Sequence, residues 1–103
     1  GTLQTRYLVS GRLEMDLVSH SAVLEGKALH LKPKEFDLLA FLVSNSGIAF
    51  TRDQLLEKVW GYDYGGETRT VDVHVRWIRE KIQSYTGTSP RIITIRGVGY
   101  RLD

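Results

Sequence analysis

The 103-residue sequence contains no cysteine, only two prolines and only one methionine. Without cysteine the chain has neither a disulfide framework nor a zinc site built on thiolates. Its apolar runs are far shorter than the ~20 residues that a membrane-spanning helix needs, so we expect no membrane partner. The sequence also lacks a Gly-x-Ser-x-Gly motif, a His-x-x-x-His pair and a phosphate-binding glycine loop. We therefore expect no catalytic, metal or cofactor site.

Basic side chains are concentrated in the C-terminal third of the chain. Residues 1–50 carry five basic and five acidic side chains, whereas residues 68–101 carry seven basic and two acidic ones, a net charge of +5. A basic segment on a neutral body favours a polyanionic partner, although charge alone does not distinguish this from a solvated basic surface. The length predicts one domain, placed at residues 8–103, with residues 1–7 as a linker remnant or residues added for expression.

Residues 7–31 show the two-residue apolar period of β-strands. Leu13, Met15 and Leu17 alternate with acidic residues, and Val23–Leu24 and Leu29–Leu31 follow after short polar breaks. This pattern predicts a meander of antiparallel strands with one buried face.

A helical apolar period begins at Pro33 and predicts a first helix over residues 33–46. Thr51 and Gln54 have the spacing of a capping box, and Gly61 is a plausible C-terminal stop, which predicts a second helix over residues 52–60. Residues 62–67 predict a loop, whose two tyrosines either form a protein interface or pack on the third helix.

The third predicted helix, residues 68–84, has one narrow apolar ridge because Val71, Val75, Ile78 and Ile82 repeat at steps of four, three and four. Bulky apolar residues on the opposite face are unfavourable in water, whereas a DNA major groove offers partners for arginine, valine and histidine. We therefore favour a groove-facing surface over the alternative, in which Trp77 covers a neighbouring loop and Val73 packs inside the protein. The residues outside the ridge are Arg69, Val73, Arg76, Trp77 and Glu80, flanked by Thr70, His74 and Lys81 on one edge and by Asp72 and Arg79 on the other.

Residues 86–90 break the third helix, and residues 92–102 predict a terminal β-hairpin whose glycines supply positive φ angles. Thr94 and Arg96 point away from Ile93 and Ile95 in this pattern. An arginine beside a narrow hairpin tip suits a phosphate or the minor groove, where the potential is negative. The alternative is an ordinary edge hairpin with a solvated arginine.

Four separated motifs, at residues 34–39, 51–61, 69–75 and 95–101, resemble those of the OmpR/PhoB family of winged-helix effector domains. The resemblance covers residues 8–103. It implies an α+β winged helix-turn-helix fold with an N-terminal four-stranded antiparallel sheet, three helices and a C-terminal β-hairpin wing.

The same resemblance implies a cytoplasmic regulator of a bacterial two-component system that binds specific double-stranded DNA sequences. An N-terminal receiver domain outside this sequence would be phosphorylated by a histidine kinase, and the alternative is the same effector domain attached to another sensory partner. Family members often bind direct repeats as tandem dimers, although the isolated domain is expected to be monomeric. RNA recognition is a weaker alternative because the aromatic platform motifs for single-stranded bases are missing.

Positions in the motifs imply roles for individual residues. The implied DNA-binding set comprises a major-groove group (Arg69, Thr70, Val73, His74 and Trp77), a backbone-contacting or supporting group (Trp60, Arg76 and Arg79), a wing phosphate contact (Thr94) and a minor-groove residue (Arg96). The loop with Tyr62, Asp63, Tyr64 and Glu67 falls where many family members contact RNA polymerase. Two departures from the family pattern are Trp77, where many relatives carry arginine or lysine, and Lys32, where a serine or threonine cap is common.

Overall fold

The computed structural model describes residues 6–83 and 90–103, so the predictions for residues 1–5 and for most of the break at residues 86–90 lie outside the described residues. An antiparallel sheet opens the chain and confirms the predicted meander. Leu13 pairs with Leu24 and Met15 with Ala22, and all four side chains are buried. Its strands follow one another in chain order: β1 (Tyr7–Ser10), β2 (Leu13–Asp16), β3 (Ser21–Leu24) and β4 (Lys27–Leu29).

Helix α1 (Pro33–Ser44) starts at the predicted proline and ends two residues before the predicted boundary. Lys32 supplies no side-chain cap, but its backbone N–H donates a 2.8 Å hydrogen bond to Oε1 of Glu35. In a capping box the third helical residue accepts a hydrogen bond from the backbone N–H of the cap residue, and Glu35 does so here. Helix α1 is central to the fold because it contacts β1, the third helix and the last strand.

Helix α2 begins as an α-helix (Arg52–Leu55) and continues as a π-helical turn (Leu56–Trp60). The predicted capping box is present, since the Gln54 N–H donates to Oγ1 of Thr51 and the Thr51 N–H donates to Oε1 of Gln54. The predicted bounds, residues 52–60, match the helical span, but the last turn is wider than in an α-helix: the Gly61 N–H donates to the Leu56 carbonyl, five residues back, at 3.2 Å, as well as to the Glu57 carbonyl at 3.0 Å. From α1, Nζ of Lys34 donates a hydrogen bond to the Val59 carbonyl and so satisfies an acceptor of this widened turn.

Helix α3 (Arg69–Gln83) begins one residue after the predicted start, and the predicted end at residue 84 lies outside the described residues. Its apolar ridge is buried against α1 and the core, as the spacing predicts. No helix in the described ranges is long and apolar enough to cross a bilayer. The largest fully buried apolar side chains of the core come from all parts of the domain: Leu13, Met15, Leu24, Leu38, Leu39, Leu42, Leu55, Ile78 and Leu102.

The predicted C-terminal hairpin belongs to a three-stranded sheet with strands β5 (Phe50–Thr51), β6 (Ile92–Ile95) and β7 (Gly99–Leu102) in the order β5-β7-β6. Gly97 has the positive φ, 78°, that a tight turn requires. The prediction of a positive φ is wrong for Gly99, which is needed for a different reason. A Cβ added there would lie 2.0 Å from the Phe50 carbonyl oxygen, so only glycine lets β5 approach β7.

Candidate nucleic-acid interface

Helix α3 presents an open face on the side opposite its buried ridge. The Arg69 side chain is exposed at the start of the helix, and the Arg76 side chain is 79% exposed two turns later. Val73 lies between them and is half-buried. The ion pair from Arg76 to Glu80, 3.2 Å on the same exposed face, is too solvated to fix the guanidinium. The face therefore offers two cations and a small apolar surface to a partner.

A row of rings runs beside this face, formed by Tyr64, Trp60, His74 and Trp77; we call it the aromatic row. The ring centroids of Trp60 and His74 are 4.8 Å apart in an edge-on arrangement, and those of His74 and Trp77 are 5.2 Å apart. Trp60 is in turn 6.4 Å from Tyr64. The π-helical turn ends at Trp60, so the widened turn positions this ring against α3.

Trp77 is half-buried, in contrast to the freely projecting side chain that its helical position predicted. Nζ of Lys32 lies 4.4 Å from the centroid of the Trp77 ring, and the His74 ring also contacts Trp77. Such a cation–π contact with a partly desolvated tryptophan contributes on the order of 1 kcal/mol. Trp77 thus joins α3 to the start of α1, in line with the alternative in which this ring covers a neighbouring segment. Part of the ring stays accessible.

Arg79 connects α3 to the wing. Its Nε and Nη2 atoms donate to the Ile92 carbonyl at 3.0 and 2.7 Å, and Nη2 also donates to Oγ1 of Thr94 at 2.7 Å. Because a charged donor roughly doubles the strength of a neutral hydrogen bond, these contacts hold β6 against the helix. The Thr94 hydroxyl accepts from Arg79 and keeps its own proton for an outside acceptor.

Asp72 forms a second connection between α3 and the wing. Its Oδ1 accepts from Nε of Arg52 at 2.7 Å and from the Tyr100 hydroxyl. Burial raises the pKa of Tyr100, and the neighbouring Asp72 carboxylate raises it further. One carboxylate thereby links α2, α3 and β7.

Basic side chains follow one another from the helix to the wing tip. Arg76 precedes Arg79 by one helical turn, Arg79 contacts Thr94, and exposed Arg96 lies two residues further along the hairpin. Arg69 and Arg76 are exposed on the same side of α3, and Val73 is half-buried between them. We call the series Arg69, Arg76, Arg79 and Arg96 the cationic path.

The chain matches the family described as "Transcriptional regulatory protein, C terminal" over residues 26–102. It belongs to this family. A curated relative, the sensory transduction protein RegX3 of Mycobacterium leprae, is 47% identical over 96 residues, which are 93% of this chain and 48% of that protein. The chain thus spans about half the length of RegX3. The membership, together with the solved DNA-binding domains of response regulators, confirms the OmpR/PhoB resemblance and the winged-helix fold.

Two solved structures of response-regulator DNA-binding domains have the same fold. The AdeR domain, in complex with an intercistronic region, is 33% identical with a TM-score of 0.79, over 92% of this chain and 96% of that one. The RstA domain of Klebsiella pneumoniae, in complex with the RstA box, is 34% identical with a TM-score of 0.79, over 93% and 95% of the two chains. These likenesses confirm the predicted class, the DNA-binding effector domain of a response regulator.

The transcription-regulator family is not an enzyme family, which agrees with the expectation from the sequence. His20 pairs with Asp37 at 3.1 Å and stacks on Phe36 near the first sheet, far along the chain from His74. Among residues 6–83 and 90–103, no group of three or more histidine, aspartate or glutamate side chains has a geometry that could hold a metal.

The predicted contact loop is exposed in this effector domain. The Tyr62 side chain is 85% exposed, whereas Tyr64 is 43% exposed and approaches Trp60. Asp63 and Glu67 are also exposed. The two tyrosines therefore differ: Tyr62 projects into solvent, and Tyr64 belongs to the aromatic row.

Sequence reasoning missed the residues that position the interface. The sequence singles out Lys32 only as a departure from the usual cap residue, and it predicts no role for Arg52 or Tyr100. Their contacts with Trp77 and Asp72 cross 45, 20 and 28 positions of the chain. No local periodicity signals such contacts, although the family motifs contain Tyr100.

Proposed function

We propose that the domain binds specific double-stranded DNA sequences, with α3 in the major groove and the β6–β7 wing in the minor groove. The observation that carries this proposal is the cationic path, which runs from Arg69 on α3 to Arg96 at the wing tip. Phosphate neutralisation by such side chains supplies most of the affinity for DNA, and contacts to base edges supply the sequence preference.

Base reading falls to the open face of α3. The Arg69 guanidinium matches the O6 and N7 acceptors of guanine, and the Val73 methyl groups suit a thymine methyl. Trp77, held by Lys32, stacks on a sugar or touches a methyl group in place of the arginine or lysine of many relatives. Thr70 and His74 lie at the edge of this face. Together with Glu67, Arg69 and Val73 they line a concavity of about 300 Å³ in the protein surface.

Supporting roles fall to residues at the edges of the interface. Arg76 reaches a phosphate, Trp60 supports His74, and Arg79 fixes the wing in position. Thr94 donates its hydroxyl proton to a wing phosphate. Arg96 enters the minor groove, where negative potential favours a guanidinium.

The longer protein is a cytoplasmic response regulator in this proposal. A receiver domain precedes the described domain, which we place at residues 8–103, and a histidine kinase controls its phosphorylation. The relatives' greater length leaves room for such a domain. An effector domain fused to a different sensory partner is the second candidate arrangement.

We further propose that the isolated domain is monomeric and that two copies bind direct repeats head to tail. The loop of Tyr62, Asp63, Tyr64 and Glu67 serves as a contact for RNA polymerase, and the 85% exposure of Tyr62 supports this secondary role. Exposed aromatic residues are common at protein interfaces.

Selection of bound duplexes from a random pool tests the proposed function. We expect one enriched sequence motif, repeated at a fixed spacing if two domains bind in tandem. A pool that stays random, with an affinity equal to that for arbitrary DNA, would remove sequence-specific recognition. Arg12→Ala is a matched control for arginine variants, because Arg12 is exposed in the turn between β1 and β2, outside the cationic path.

A further inference from the structure

His74 is held in one protonation pattern by a contact within its own helix. Its Nδ1 atom lies 2.7 Å from the carbonyl oxygen of Thr70. A carbonyl oxygen can only accept, so Nδ1 carries the hydrogen and donates it. In the neutral ring Nε2 therefore carries a lone pair and acts as an acceptor.

The position of His74 on α3 directs it to the wall of a DNA groove. Val73 lies opposite the buried ridge, and His74 is turned from it by ~100° towards the flank, where Trp60 and Trp77 contact the ring. When a helix lies in the major groove, the centre of its outer face meets base edges, and its flanks approach the phosphate backbone. His74 is thus placed for a phosphate rather than for a base.

A phosphate oxygen accepts hydrogen bonds and cannot donate one to the lone pair of Nε2. The contact therefore requires a second ring proton, taken from the buffer, and histidine is the side chain that changes charge between about pH 5 and 8. We propose that His74 is a proton-linked phosphate contact, so that the domain takes up a proton when it binds DNA. This inference rests on the proposed function.

The charged and titratable side chains near His74 belong to the loop, to α3 and to the residue before α1. Glu67 from the loop and Arg69 from α3 line the same concavity of the protein surface as His74. Tyr64 lies on the far side of Trp60, and Lys32 lies above the Trp77 ring. A bound phosphate adds negative charge at Nε2, which favours the imidazolium ion over the neutral ring.

Calorimetric titration with a selected duplex, in buffers that differ in ionisation enthalpy, measures the number of protons taken up. Near neutral pH we expect uptake of up to about one proton per domain, and affinity that falls by up to about tenfold per pH unit as the pH rises. The dependence of log Kd on log salt should also be steeper by about 0.9 at pH 6 than at pH 8, because protonation adds one phosphate contact.

His74→Gln retains hydrogen-bonding capacity without titrating, and His20→Gln is the matched control on a different face. We expect proton uptake and the change in salt slope to disappear in the first variant and to persist in the second. Wild-type binding without proton uptake, or uptake that survives His74→Gln, would overturn the inference while leaving DNA binding intact. A changed base preference in His74→Gln without proton uptake in the wild type would instead show a neutral ring reading a base. If His74→Gln does not fold, ring nitrogen chemical shifts of wild-type His74, free and DNA-bound, decide between the two protonation states.

Discussion

The Arg79 guanidinium donates two hydrogen bonds to the Ile92 carbonyl, at 3.0 and 2.7 Å, and so fastens the wing strand β6 to α3. The two DNA-reading elements of the proposal are therefore coupled through one side chain. A third bond from the same guanidinium reaches Thr94. Helix α3 therefore positions the wing.

Arg79→Ala should destabilise the domain by roughly 1–3 kcal/mol, because the backbone carbonyl of the buried Ile92 loses its charged hydrogen-bond donor. Chemical denaturation measures the free energy of unfolding. Arg91→Ala is the control, because the exposed Arg91 lies beside the same strand and should change stability by less than about 0.5 kcal/mol. Equal losses in both variants would show that the Arg79 contacts do not stabilise the wing.

Gly99→Ala should destabilise the domain by roughly 3 kcal/mol, because the new Cβ would collide with the rigid Phe50 carbonyl and force β5 away from β7. Thermal unfolding provides the measurement. At Gly65 an added Cβ meets no atom within 4 Å, so Gly65→Ala should leave the transition temperature nearly unchanged. If Gly99→Ala unfolds at the wild-type temperature, the close approach of the strands is not required.

Tyr100 should make stability sensitive to alkaline pH. Its pKa is raised in the folded state, chiefly by burial and then by Asp72, so the unfolded chain releases this proton first. The contribution is fully present below the ordinary pKa of 10.0 and is lost as the pH rises through the higher folded value. Unfolding free energies of wild type and Tyr100→Phe, compared at pH 8 and above pH 10, should show the steeper decline in the wild type; parallel declines would argue against this pKa shift.

Tyr62→Ala in the full-length regulator should reduce transcription activation without changing DNA affinity, because the side chain projects into solvent from the proposed polymerase contact. Reporter transcription and duplex binding are measured together. Tyr7→Ala changes a tyrosine that is 58% exposed on β1 and should leave both readouts unchanged. Full activation by Tyr62→Ala would exclude this tyrosine from the proposed contact.

The sequence predicted those parts of the fold that local periodicity determines. Pro33 and the ridge from Val71 to Ile82 marked α1 and α3 closely, because burial of one helix face follows directly from spacing. The two-residue strand Phe50–Thr51 has no periodic signal in the sequence, because it is defined by its pairing with Gly99 and Tyr100 of β7.

The candidate site divides in a similar way. Exposure of Arg69, Arg76 and Arg96 could be predicted from their distance from the buried ridge and from the hairpin turn. The cover of Lys32 over Trp77 and the contacts of Arg79 could not, because each joins segments whose relative placement only the folded chain defines. Positioning residues are therefore harder to find from sequence than contact residues.

The most direct test of the account compares Arg69→Ala and Arg96→Ala with Arg12→Ala on the selected duplex and on a random duplex of equal length. The first two variants should lose roughly 1–3 kcal/mol of binding free energy on the selected duplex, with a smaller loss on random DNA if the guanidinium reads bases. Arg12→Ala should bind both duplexes like the wild type. Wild-type affinity of both Arg69→Ala and Arg96→Ala for the selected duplex would contradict the placement of α3 and the wing on DNA.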